Sequence, residues 1–151
     1  MIAHARRRVN GHHTEASPTL ARFVLVHPSI PGGGVVASYL APVVDALTAV
    51  LATPESPHFW LDVERIRPDE MDALADLLGL HEVTIFDCLN EDFLVSDEKF
   101  ERFPDYFFLI ADLLNPVEGR WRTENVNVVV LKRGAITLRN NPFPELAALA
   151  A

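Results

Sequence analysis

Residues Phe59 to Asn90, FWLDVERIRPDEMDALADLLGLHEVTIFDCLN, limit what this chain can fold into more than any other stretch. Phe59-Trp60-Leu61-Asp62-Val63 is short, aromatic and branched, with Pro57 before it and charges after it, which predicts a strand ending at Glu64. Pro68 suits a first helical turn, where its missing N–H would be unpaired anyway, and Asp69, Glu70 and Asp72 complement the positive end of the helix dipole. Met71, Leu74, Leu77 and Leu78 recur at spacings of three and four and so share a buried face, leaving Asp69, Asp72 and Asp76 to water. Gly79 supplies a left-handed cap. A second helix is expected over Glu82–Leu89, with Val83, Phe86 and Leu89 as its core face, and Asp87 and Glu91 lie one turn apart on another.

Elsewhere the pattern is simpler. Arg22–His27 reads as a strand, and Pro28–Gly34 as a turn whose contiguous glycines lack the spacing and the Lys-Ser/Thr of a phosphate loop. Val43, Val44, Leu47, Val50 and Leu51 predict a helix over Pro42–Leu51. Acidic Glu91–Glu98 is expected to loop, and the run Tyr106–Leu114 to form a central strand. Asn115–Arg122, with Pro116 and Gly119, predicts a turn; Asn125–Leu131 and Ala135–Arg139 predict a hairpin joined through Lys132-Arg133-Gly134. A last helix begins near Glu145. Strands and helices in mixed order with one antiparallel hairpin make an α+β (mixed α/β) layered domain the expected architecture. The expected organisation is a flexible tail over residues 1–19 and one domain over 20–151. The tail's Arg6-Arg7-Arg8 and His12-His13 invite targeting or metal readings; a solvated tail is the simpler expectation, beside a mitochondrial presequence that lacks helical amphipathicity.

Charge and cysteine content narrow the function. A net charge of −8 disfavours nucleic acid and anionic lipid and suits cations. Cys88 is the single cysteine, which excludes an internal disulfide and a cysteine-built zinc cluster. The longest apolar run, near Val126–Leu131, falls far short of the roughly 20 residues that cross a bilayer. There is no Gly-x-Ser-x-Gly elbow, no His-Glu-x-x-His and no Cys/His pairing, and Asp87 beside Cys88 raises the thiol pKa, so the chain is not expected to be an enzyme.

Trp60-Leu61-Asp62, Leu78-Gly79-Leu80-His81, Asp87-Cys88-Leu89-Asn90, Lys99-Phe100-Glu101 and Asp105-Tyr106-Phe107-Phe108-Leu109-Ile110, in that order, resemble the soluble N-terminal domain of CorA-type magnesium/cobalt transporters over roughly Phe59–Glu145. The resemblance implies a mixed sheet with helices on both faces, and a soluble regulatory role in ion sensing and gating. It makes Asp87 a ligand of regulatory Mg2+ (Co2+ is the other ion of the family) at a subunit contact, in a homo-oligomer implied to be a pentamer on the cytoplasmic face of a membrane. Glu91 and Asp92 are further oxygen candidates, with Asn90 beside them; exposed loop acids are the plainer reading of the first two. Phe86 stands where the family often has a second acid, and the Gly-Met-Asn pore signature is missing from these residues. A fragment of such a transporter is therefore expected to bind magnesium weakly and to be mostly monomeric. The alternative is a free-standing, non-catalytic interaction domain with the same fold. Asp62, at a strand end, reads equally as a cap or as a site residue.

Overall fold

The structure is a computed structural model that describes residues 18–27, 30–37, 40–54, 58–90 and 98–149. Strands β1 (Leu20–His27), β2 (Ile30–Ala37), β3 (His58–Glu64), β4 (Lys99–Arg102), β5 (Tyr106–Val117), β6 (Arg120–Leu131) and β7 (Gly134–Arg139) form one seven-stranded sheet in the order β2-β1-β3-β7-β6-β5-β4. All neighbours are antiparallel except β3 and β7, which run parallel with Leu61 opposite Ile136. The mixed sheet with helices anticipated above is what the chain forms, but the expected cover on both faces is not: the three helices of the core lie on one face, because the other carries buried charge.

Strand alternation sorts the sheet into two faces. Ala21, Phe23, Phe59, Leu61, Val63, Tyr106, Phe108, Ile110, Val129, Ile136 and Leu138 share one face and pack with helices α1 (Ala41–Ala52), α2 (Pro68–Leu78) and α3 (Glu82–Leu89) in a single core. In α1, Val43, Leu47 and Val50 are the buried residues; in α2, Met71, Leu74 and Ala75. Gly79, at φ 65°, closes α2 in the left-handed region, and the Leu80 N–H reaches back to the Ala75 carbonyl at 3.0 Å. Helix α4 (Pro144–Leu149) follows β7 and has no buried residue.

Four further expectations need correction. Pro28–Gly34 is not a turn throughout, because Ile30–Ala37 is a strand paired with β1; it lies at the sheet edge, where proline and glycine are tolerated. The Asn115–Arg122 turn shrinks to Glu118-Gly119, both at positive φ (50° and 74°), so β5 and β6 pair as far as Val117 and Arg120. β5 is second from the edge and not central; β7 holds the middle. The core face of α3 is not Val83 and Phe86, which are 38% and 70% exposed, but Thr84 and Cys88. The expected tail lies outside the described residues up to position 17, and so does residue 91–97 of the acidic loop.

Candidate cation site and buried charge network

Helix α3 is positioned by polar groups that hydropathy does not reveal. The His81 Nδ1 accepts from the Val83 N–H at 3.2 Å, which caps the helix. The Tyr106 hydroxyl from β5 accepts the His81 N–H at 2.9 Å and meets the Thr84 hydroxyl at 2.8 Å. Thr84 and Tyr106 are both buried, so the helix is rotated to satisfy this pair and its neighbour Phe86 is left facing out.

That rotation puts Asp87 on the side of α3 facing β4. Its Oδ2 lies 2.6 Å from the Lys99 Nζ, which is 3.3 Å from Glu101 Oε2 on the same strand. The Asp87 and Lys99 side chains are 17% and 28% exposed, so the pair is only partly screened by water. The Asp87 hydrogen bond holds the Lys99 pKa above its ordinary value against the opposing effect of desolvation, and Glu101 adds to the rise. Glu91 and Asp92, the other acids expected nearby, lie outside the described residues. Among the described residues no three Asp, Glu, His or Cys side chains converge as a metal set. Two carboxylates are hard oxygen donors that suit magnesium, so the residues fit the ion only if further ligands come from water or from outside the described residues.

Next to Asp87, Cys88 is buried, and burial first, then the Asp87 charge, push its thiol up to about 12. The thiol is thus inert in the folded chain. A thiol reagent at pH 8 should label Cys88 only through unfolding, at least about 100-fold more slowly than in urea; labelling at the unfolded rate would contradict the packing of α3. Because the folded pKa is raised, stability linked to the thiol is intact below the ordinary value of 9.0 and declines as pH climbs from there towards about 12.

The second cluster occupies the opposite face of the sheet. Arg22, Asp62 and Thr137 stand in one row across β1, β3 and β7, with Glu64 opposite Arg139 one pleat further on. Asp62 accepts from Thr137 Oγ1 (2.8 Å), Arg139 Nε (3.3 Å), Arg139 Nη2 (2.8 Å) and Arg22 Nη1 (3.1 Å). Those bonds saturate its carboxylate. Arg139 also donates to Glu64 Oε2 at 2.8 Å and to the Asn141 carbonyl at 2.6 Å. Burial alone would lower the Arg139 pKa; Asp62 and Glu64 outweigh it and hold it raised. Asp62 is therefore neither a cap nor an open site residue: it is a fully buried ion-pair partner.

A profile of the CorA-like Mg2+ transporter protein family matches residues 55–150. The chain belongs to that family. An inferred metal ion transporter of Schizosaccharomyces pombe is 32% identical over 59% of this chain and 14% of its own length. The magnesium transporter ALR2 of Saccharomyces cerevisiae is 31% identical over 60% of this chain and 11% of its own length. The chain thus spans a small part of the curated relatives it matches. Among solved structures, the full-length CmaX protein aligns at TM-score 0.63 (21% identity; 88% of this chain, 38% of that one). The soluble domain of CorA from Methanocaldococcus jannaschii aligns at 0.54 (12% identity; 89% and 45%), and the ZntB cytoplasmic domain from Vibrio parahaemolyticus at 0.56 (18% identity; 87% and 48%). At these identities the structures establish the fold alone.

Within this CorA-like domain the residues singled out from sequence do not gather in one place. Asp87 sits with Lys99 and Glu101 on the helix side of the sheet, and Asp62 on the other side. Lys99 and Arg139 escaped sequence reasoning. The only signal available for Arg139 was its place at the end of an alternating strand, where strand pairing could set it beside an acidic residue. No helix among the described residues is long and apolar enough to cross a membrane.

Proposed function

We propose that residues 20–151, preceded by a tail, form the ion-sensing domain of a CorA-like divalent-cation transporter, non-enzymatic and on the cytoplasmic face of its membrane. In this reading the transported and regulatory ion is Mg2+, with Co2+ as an alternative, and subunits of a homo-oligomer, a pentamer by family likeness, meet near α3. Asp87 supplies one carboxylate to an ion whose remaining ligands come from a neighbouring subunit, and Glu91, four residues further along the sequence, is the second candidate. Ion binding favours the assembly in which those ligands meet; loss of the ion lets the subunits part. At concentrations about ten times the dissociation constant, one such site contributes about 1.4 kcal/mol, so several must act together.

The observation that carries the reading is the family match over residues 55–150, with Asp87 part-buried on a helix that also exposes Phe86. The test is magnesium uptake by the native gene product in cells lacking other magnesium transporters. Uptake that declines as internal magnesium rises, and declines several-fold less in Asp87→Asn, is the expected result. No uptake at any magnesium level would turn attention to the second reading, a free-standing interaction domain. That reading is favoured by the exposure of Phe86, Phe100, Leu114 and Trp121 at 64–71%.

A further inference from the structure

Lys99 is held where a cation would sit. Its ammonium lies between two carboxylates delivered by different elements, Asp87 of α3 at 2.6 Å and Glu101 of β4 at 3.3 Å. Pairing of β4 with β5 sets Lys99 opposite Ile110 and Glu101 opposite Phe108, so both side chains lie on the face that carries α3. The ammonium also stands 5.9 Å from the centroid of the fully buried Phe108 ring, and its stem is therefore not a free surface chain. The three groups carry a net charge of −1 where the two carboxylates alone would carry −2.

We propose that Lys99 is a tethered competitor for the divalent cation at Asp87. The inference rests on the reading of Asp87 as a cation ligand. An ion bound through the Asp87 carboxylate, directly or through its water, meets the Lys99 charge within a few ångströms, where repulsion between like charges is strong even near a surface. Binding therefore displaces the ammonium, and the strength of the Asp87–Lys99 pair raises the magnesium concentration at which the domain responds. The ion-free state is correspondingly not a bare acidic surface: with magnesium absent, the carboxylates are neutralised in part from within the same subunit. Lysine suits such a role, since its compact charge on a flexible stem swings aside where an arginine fork would hold both carboxylate oxygens.

The test is a titration of the 151-residue chain with magnesium chloride, against sodium chloride at matched ionic strength, followed by amide NMR shifts of residues 84–90 and 98–102. Lys99→Met keeps the unbranched stem over Phe108 and removes the charge. It should tighten magnesium binding by about tenfold relative to the natural chain, while Lys99→Arg should not tighten it and Asp87→Asn should abolish binding in either background. Equal affinity of the natural chain and Lys99→Met, still lost in Asp87→Asn, overturns the competitor role and leaves Asp87 as a ligand. Absence of magnesium binding in both at millimolar concentration overturns the competitor role in this chain, and binding that survives Asp87→Asn removes the ligand reading and the competitor with it. Should Lys99→Met fail to fold, the Lys99 Cε resonance of the natural chain decides: it moves with magnesium occupancy if the ammonium is displaced and stays fixed if it is not.

Discussion

Arg139→Met should destabilise the chain by about 3–5 kcal/mol, because it leaves Asp62 and Glu64 buried without the charge that compensates them. Arg139 and Asp62 have side chains with no exposure at all, and Glu64 has 4%. Deleting the guanidinium removes both bonds to Asp62, the bond to Glu64 and the bond to the Asn141 carbonyl. Arg22 still reaches Asp62, and Arg65 still pairs with Glu64 at 2.7 Å, so the loss stops short of two isolated charges. Set against a total stability of about 5–15 kcal/mol for a domain of this kind, a loss of that size removes between about a fifth of the margin and all of it. Urea denaturation checks it, and the double variant Asp62→Asn/Arg139→Met should recover part of the loss, since the pair is coupled. A single variant that loses less than about 1 kcal/mol would show that water reaches this face and solvates both acids.

The second large effect is expected at Gly134, where a side chain has nowhere to go. A Cβ there would lie 2.6 Å from the Phe59 carbonyl oxygen and 2.6 Å from two carbons of the Phe59 ring. Phe59 is the residue paired with Gly134 across the parallel β3–β7 junction, and its ring also stacks at a tilt on Phe23. Relief would require β3 and β7 to separate at the centre of the sheet. Gly134→Ala should therefore cost about 3 kcal/mol, at the upper end of ordinary overpacking, with a matching fall in thermal midpoint. The control is Phe59→Leu/Gly134→Ala, which removes the ring but not the carbonyl. Recovery of most of the loss in that double variant would assign the clash to the ring alone.

Regular elements with strong periodicity were legible from the residues: β3, α2 with its exposed Asp69, Asp72 and Asp76, the Gly79 cap and the β6–β7 hairpin. Each is governed by interactions a few residues apart, which a linear reading captures. Helix α3 was misjudged because its orientation depends on the Thr84 hydroxyl meeting Tyr106, a residue in another element, and a buried threonine carries no apolar signal. The same limit hid Lys99. Its position in the chain gives no sign of Asp87, and the two meet only because β4 lines the edge of β5 beside α3. Edge strand β2 was concealed by Pro31 and three glycines, whose meaning depends on whether the strand is central or at the rim. The resemblance supplied the importance of Asp87; the residues alone pointed to an ordinary surface carboxylate.

The parallel join of β3 to β7 also sets an order of events during synthesis. Asp62 leaves the ribosome 77 residues before Arg139, and β3 gains its second neighbour only when Gly134–Arg139 has been made. Until then Asp62 has Arg22 of β1 as its cationic partner, and the carboxylate oxygen that Thr137 and Arg139 Nε later bond stays hydrated. The two halves of the sheet are thus joined only when the last strand slots into its middle, which places the cooperative step late.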